Sequence, residues 1–181
     1  GLVDSAGVCW MGGDRASSNN GYLDIISEPK VKRIGPLLVG GAGQSCVIQD
    51  VLEADWPEPP SKLCDPHHWL VREVAPWFRK RLRDEGWMLP LEDGLPSCRT
   101  SFVLTWRQRI WRIGGDGGFL PISARYYVDG PAQAEGVMWT LERDTSIFSP
   151  SAKLNTALEA AAHFADGVRP PFDIINDAPV A

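Results

Sequence analysis

Two groups of helix-periodic residues, at 45–82 and 132–166, are separated by a block of short alternating strands, and two hairpins precede them all. That order excludes a doubly wound sheet, in which strands and helices alternate one by one. It predicts antiparallel sheets with helices gathered on their outer faces, an α+β sandwich forming one domain over residues 1–181.

The local signals are specific. In "GLVDSAGVCWMGGD" the turn formers Asp4-Ser5-Ala6-Gly7 separate two apolar runs, and in "PKVKRIGPLLVGGAG" Gly35-Pro36 does the same. The Ser-, Asn- and Gly-rich residues between these hairpins read as a loop. Val47, Ile48, Val51, Leu52 and Trp56 fall at helical spacing, stopped by the prolines of 57–60. Asp65 then caps a helix with Pro66 in its first turn; Trp69, Leu70, Val74, Trp77, Phe78 and Leu82 form its apolar stripe, and Pro76 predicts a kink. Residues 86–99 read as a long loop, 100–122 as a three-strand meander and "YYVDG" as a short strand. Small residues at 132–141 predict a helix packed closely on a sheet. A last helix runs from Ser151 to a stop at Gly167, before the edge strand "PFDIIND".

A net charge of −5 and a pI near 5.2 argue against nucleic acid or an anionic membrane as the main partner. The longest apolar runs are far too short to span a bilayer, and no charged-then-apolar leader precedes residue 1. The cysteines at 9, 46, 64 and 98 show no CxxC spacing and His67-His68 are adjacent, so they read as reduced packing residues of a cytosolic-type protein, with no metal and no cofactor expected. Eight tryptophans suggest a wide apolar layer or subunit contacts.

The stretches "GLVDSAGVCWMGGDR", "PKVKRIG", "LLVGGAGQ", "YYVDGPAQAEGVMWTL" and "ALEAAAHFADGVRPPFDII" resemble, in order and interval, the proteasome β-subunit and HslV-like peptidases of the N-terminal-nucleophile (Ntn) hydrolases, in particular their small bacterial or phage-borne relatives. Residues 55–100 are not matched. Asp14 and Lys30 stand sixteen positions apart, the interval the family keeps between its aspartate and lysine. The resemblance implies a four-layer αββα sandwich and a homo-oligomer built as a ring or stacked rings, acting on peptides or unfolded proteins. An ATPase partner is not legible. It also implies a threonine whose hydroxyl attacks and whose own amine is the base. Carried over by motif, Lys30 takes the lysine role, Asp14 holds it, the Gly43 amide stabilises the oxyanion, and Gly41 borders a pocket left wide by its missing side chain. Asp129 stands where the family has a serine near the terminal amine; a carboxylate can hold an ammonium but adds charge.

The register leaves about four residues before Gly1, the first being the threonine; Gly1 itself has no side chain with which to attack. Two readings follow: a peptidase whose nucleophile precedes Gly1, or a catalytically inactive ring or assembly subunit of the same fold. Plainer roles stay open as well. Asp14 suits a turn, Lys30 an exposed strand end, and Gly40, Gly41 and Gly43 a tight strand-to-helix junction. Asp166 reads as helix C-terminal packing. Ser17 and Ser18 have no histidine nearby, which disfavours a Ser-His-Asp triad.

Overall fold

A computed structural model describes residues 1–19, 22–60, 65–91, 94–129, 136–138, 140–141, 149–165 and 171–178. A three-stranded antiparallel sheet has the order β1 (Leu2–Val3), β2 (Cys9–Asp14), β12 (Phe172–Asn176), with β12 at its edge. A five-stranded antiparallel sheet has the order β11 (Phe119–Ile122), β10 (Arg109–Ile113), β9 (Thr100–Trp106), β6 (Leu37–Gly43), β5 (Val31–Ile34). The predicted hairpins and the meander are all present. At the β9–β10 turn Arg107 and Gln108 both adopt positive φ, 46° and 63°, as the twist of a two-residue hairpin turn requires.

The layers follow from strand alternation. One face of the large sheet, with Val39, Phe102, Leu104 and Trp111, packs on Val47, Ile48, Val51, Leu70, Val74 and Phe78 of the helices. These are α1 (Ser45–Glu53), the π-helical segment Leu70–Val74 that follows α2 (Pro66–Trp69), and α3 (Ala75–Asp84). Its other face, with Val31, Leu38, Val103 and Ile110, meets Val3, Cys9 and Met11 of the small sheet. Leu2 and partly buried Trp10 lie on the small sheet's outer side, with Met138 and with Leu154 and Ala157 of α4 (Pro150–Ala165). The result is the expected four-layer αββα sandwich. Trp56, Trp69, Trp106 and Trp111 are buried in the helix-side layer, with Trp77 and Trp87 packed against it, so the tryptophan count reflects a wide apolar layer.

The helix irregularity near Pro76 lies one turn ahead of it. Residues Leu70–Val74 form a π turn in which the Ala75 amide donates to the Leu70 carbonyl, so the helix widens ahead of a proline that would crowd a regular turn. Asp65 caps this helix through the His67 amide at 3.1 Å.

Three expectations differ from the structure. The loop between the first hairpins contains a hairpin of its own, β3 (Ala16–Asn19) with β4 (Tyr22–Ile25), and the loop at 86–99 contains β7 (Leu89–Leu91) with β8 (Gly94–Ser97). "YYVDG" makes a single bridge, Tyr126 to Leu2, rather than a strand. Helical residues occur at 136–138 and 140–141 as expected, whereas Cys64, Asp166 and Gly167 lie outside the described residues. Cys9 and Cys98 are buried free thiols and Cys46 an exposed one. No helix among the described residues is long and apolar enough to cross a membrane.

Candidate active site

The site begins with a close approach of the two sheets. A side chain at Gly13 would come within 2.8 Å of Val31 Cγ1, so only glycine lets β2 lie this near β5. The residues next to that contact, Asp14 at the end of β2 and Lys30 ahead of β5, are thereby brought together. Lys30 Nζ donates to Asp14 Oδ1 at 2.8 Å and also to the Ala16 carbonyl. The ammonium is deep, its side chain 11% exposed, whereas that of Asp14 is 36% exposed. Asp14 Oδ1 also accepts from the Ala16 amide at 2.9 Å, so the carboxylate is fixed before the lysine reaches it. Lys32, two residues on, instead pairs at the surface with Glu53 of α1.

Arg15 braces this corner. Its Nε and one terminal nitrogen each donate to Asp173 at 2.7 Å, a two-pronged pair joining β2 to β12, and the other terminal nitrogen donates to the Ser27 carbonyl at 2.6 Å.

The glycine-rich end of β6 lies beside Lys30, whose carbonyl accepts from the Gly41 amide at 3.0 Å. Gly43 has φ +123° and a Cβ there would sit 2.4 Å from the Arg99 carbonyl oxygen, so conformation and space both demand glycine. The next amide, Gln44, donates to Thr100 Oγ1 at 3.1 Å, and α1 starts at Ser45. Over Gly41 the space a side chain would take is filled: a Cβ would meet Ile48 Cγ1 at 2.7 Å and Phe102 Cε1 at 3.1 Å. The expected wide opening at Gly41 is therefore occupied by Ile48 of α1.

Asp129 accepts from the Ser101 hydroxyl of β9. A free amine at Gly1, which donates to the Tyr127 carbonyl at 2.8 Å, is pushed by burial down to about 5, with the Asp129 carboxylate acting in the opposite direction.

No family profile and no curated protein matches the sequence. Solved structures do match. BPH of Thiobacillus denitrificans has a TM-score of 0.75 at 21% identity, over 97% of this chain and 95% of that one. The same protein in complex with epoxomicin gives 0.74 at 21% identity, over 98% of each chain. HslV of Trypanosoma brucei gives 0.64 at 15% identity, over 97% of this chain and 96% of that one. Anbu of Pseudomonas aeruginosa, solved as a helical assembly, gives 0.57 at 14% identity, over 92% of this chain and 76% of that one.

The fold is that of the proteasome-type Ntn hydrolases. Within that fold, Asp14 and Lys30 form one ion pair, Gly41 and Gly43 line the strand beside it, and Asp129 stands across from them on Ser101. Sequence reasoning singled out neither Ser101 nor the Arg15–Asp173 brace. Both link residues far apart in the chain, and no local sequence pattern marks either pairing.

Proposed function

We propose that the chain, residues 1–181 as one domain, is a subunit of a proteasome-like, self-compartmentalising homo-oligomer that hydrolyses peptide bonds with a threonine encoded upstream of Gly1. The observation that carries this reading is the deep Lys30 ammonium held on Asp14 at 2.8 Å, at the end of the sandwich from which β1 runs. A buried ammonium is costly unless paired, and a pair that did nothing more would be replaceable by apolar residues.

On this reading the threonine hydroxyl attacks the scissile carbonyl carbon and its proton passes to the terminal amine. The new C–O bond gives a tetrahedral oxyanion, stabilised by the Gly43 N–H. Collapse breaks the C–N bond, the leaving amine takes the proton, and water hydrolyses the remaining ester. Lys30 places its positive charge beside the hydroxyl and favours its deprotonation, Asp14 holds Lys30, and Asp129 holds the amine. The chemistry needs no metal and no cofactor. A homo-oligomeric assembly is supported by the likeness to HslV and to Anbu, solved as a helical assembly; on this reading it closes as a ring or stacked rings that take peptides or unfolded proteins.

The test uses the full encoded chain. Turnover of a small peptide reporter is expected, and Lys30→Ala is expected to abolish it without changing the assembly seen by light scattering. Unchanged turnover in Lys30→Ala removes Lys30 from the mechanism. An intact assembly with no turnover favours the second reading, a silent ring subunit, which the replacement of the family's serine by Asp129 also favours. A strict monomer at micromolar concentration contradicts both.

A further inference from the structure

A second recess lies at the end of the sandwich away from Asp14, Lys30 and Gly43. Thr100 pairs with Gly43 at one end of β9, and at the other end the turn of Arg107 and Gln108 leads into β10, whose Arg109 pairs with Trp106. β2 likewise runs towards Asp14 from the turn at residues 4–7. These two turns, the start of α2 and the residues just after β11 enclose a cleft of about 570 Å³, a size that suits a small organic molecule.

The cleft has an apolar floor made by Val3, Ile110, Trp111, Pro121 and Ile122. Trp111 is 1% exposed, and its indole nitrogen donates to His67 Nδ1 at 3.2 Å, which ties the ring to the start of α2. Asp4, Asp65, Arg109 and Arg125 stand around this floor. Their formal charges cancel, yet the two signs are not equally available. One carboxylate oxygen of Asp4 accepts from the Ala6 and Val8 amides at 2.9 Å and the other from Trp10 Nε1 at 2.9 Å, so this anion is committed to its own turn. Asp65 accepts from the His67 amide at 3.1 Å and, at a long 3.4 Å, from Arg109, with both side chains more than half exposed. A pair of that kind is held weakly. The Arg125 carbonyl accepts from the Val3 amide at 2.7 Å, which fixes its backbone beside β1, while its guanidinium has no acceptor among the described residues.

We propose that this cleft binds a small organic oxyanion, its apolar body on the Trp111 floor and its carboxylate or phosphate on Arg125 and Arg109. A guanidinium grips either head group through two parallel N–H donors, and the carboxylates of the cleft leave the Arg125 donors unused. Arg109 can join because its contact with Asp65 is readily given up. The cleft is separate from the hydrolase centre and binding there needs no turnover, so either reading can fail without the other.

The test is saturation-transfer NMR on the full encoded chain, titrated with phenylacetate, its neutral analogue phenylacetamide and phenyl phosphate, with inorganic phosphate as competitor. Saturable binding of phenylacetate or phenyl phosphate is expected with Kd on the order of 1 mM, and the tighter of the two identifies the head group. Phenylacetamide is expected to bind at least about tenfold more weakly than phenylacetate, and inorganic phosphate to compete poorly, because each lacks one half of the ligand. Arg125→Gln is expected to raise Kd roughly tenfold or more, with an unchanged melting temperature in the absence of ligand, and Arg109→Gln to raise it less. No saturable binding of either anion, an amide that binds as well as the acid, inorganic phosphate competing as well as phenyl phosphate, or an unchanged Kd in Arg125→Gln each overturns the proposal. If Arg125→Gln fails to fold, the comparison of acid with amide on the wild type decides alone.

Discussion

Removing either partner of the Lys30–Asp14 pair has unequal consequences, and their order follows from burial. Asp14→Ala leaves a lysine side chain only 11% exposed with the Ala16 carbonyl as its remaining acceptor. Stranding one member of a buried pair costs about 3–5 kcal/mol, and that retained acceptor places Asp14→Ala near 3 kcal/mol, at the lower end. Lys30→Met fills the same channel with an apolar chain. The Asp14 carboxylate left behind is 36% exposed and keeps the Ala16 amide, so water replaces the lost ammonium and the cost falls to about 1 kcal/mol. For a chain of this size each kcal/mol moves Tm by about 2–4 °C, which gives roughly 6–12 °C for Asp14→Ala and 2–4 °C for Lys30→Met. The double variant should lie well above the sum in stability, because the stranded charge is gone. The assay is thermal melting of all four proteins at one fixed concentration. Equal losses, or losses additive within about 0.5 kcal/mol, would refute the claim that a desolvated charge is held there.

Gly43→Ala should cost about 3 kcal/mol, from its φ of +123° and the 2.4 Å approach to the Arg99 carbonyl, whereas Gly35→Ala, with φ +56° and open space, should cost about 1 kcal/mol; equal melting shifts would contradict the tight junction at Gly43. With Cys64 replaced by Ser, iodoacetamide at pH 8 should label exposed Cys46 first and leave Cys9 and Cys98 until unfolding, and equal labelling rates would contradict their burial. Burial pushes the Cys9 thiol from 9.0 up to about 11, so the unfolded chain releases this proton first and stability should decline as pH rises from about 9 towards 11; denaturant midpoints that stay level from pH 8 to 11 would contradict this.

The layered fold was readable because its main elements announce themselves locally. Gly35-Pro36 between apolar runs, the alternation through Phe102–Trp106 and the stripe from Trp69 to Leu82 each bear on their own segment. The two missed hairpins lack that alternation. Ala16–Asn19 is a run of small and polar residues whose one hairpin signal is the Asn20-Gly21 dipeptide in the sequence, and 89–97 carries Pro90 and Pro96, which count against strands. An isolated two-strand pair tolerates both features. At the site, Asp14 and Lys30 were legible through their interval and the resemblance. Ser101 with Asp129, and Arg15 with Asp173, depend on how distant strands register, and no local pattern encodes that. Gly41 misled for a related reason: a missing side chain looks like open space until Ile48, on a different element, is placed over it.

The most direct measurement is the intact mass and peptide map of the full encoded protein after incubation with epoxomicin, which is bound by the Thiobacillus protein of the same fold. The account predicts one inhibitor per chain, located on a peptide that begins with threonine just upstream of Gly1, and no adduct in Lys30→Ala. An assembled protein that stays unmodified, or that carries the inhibitor elsewhere, contradicts it.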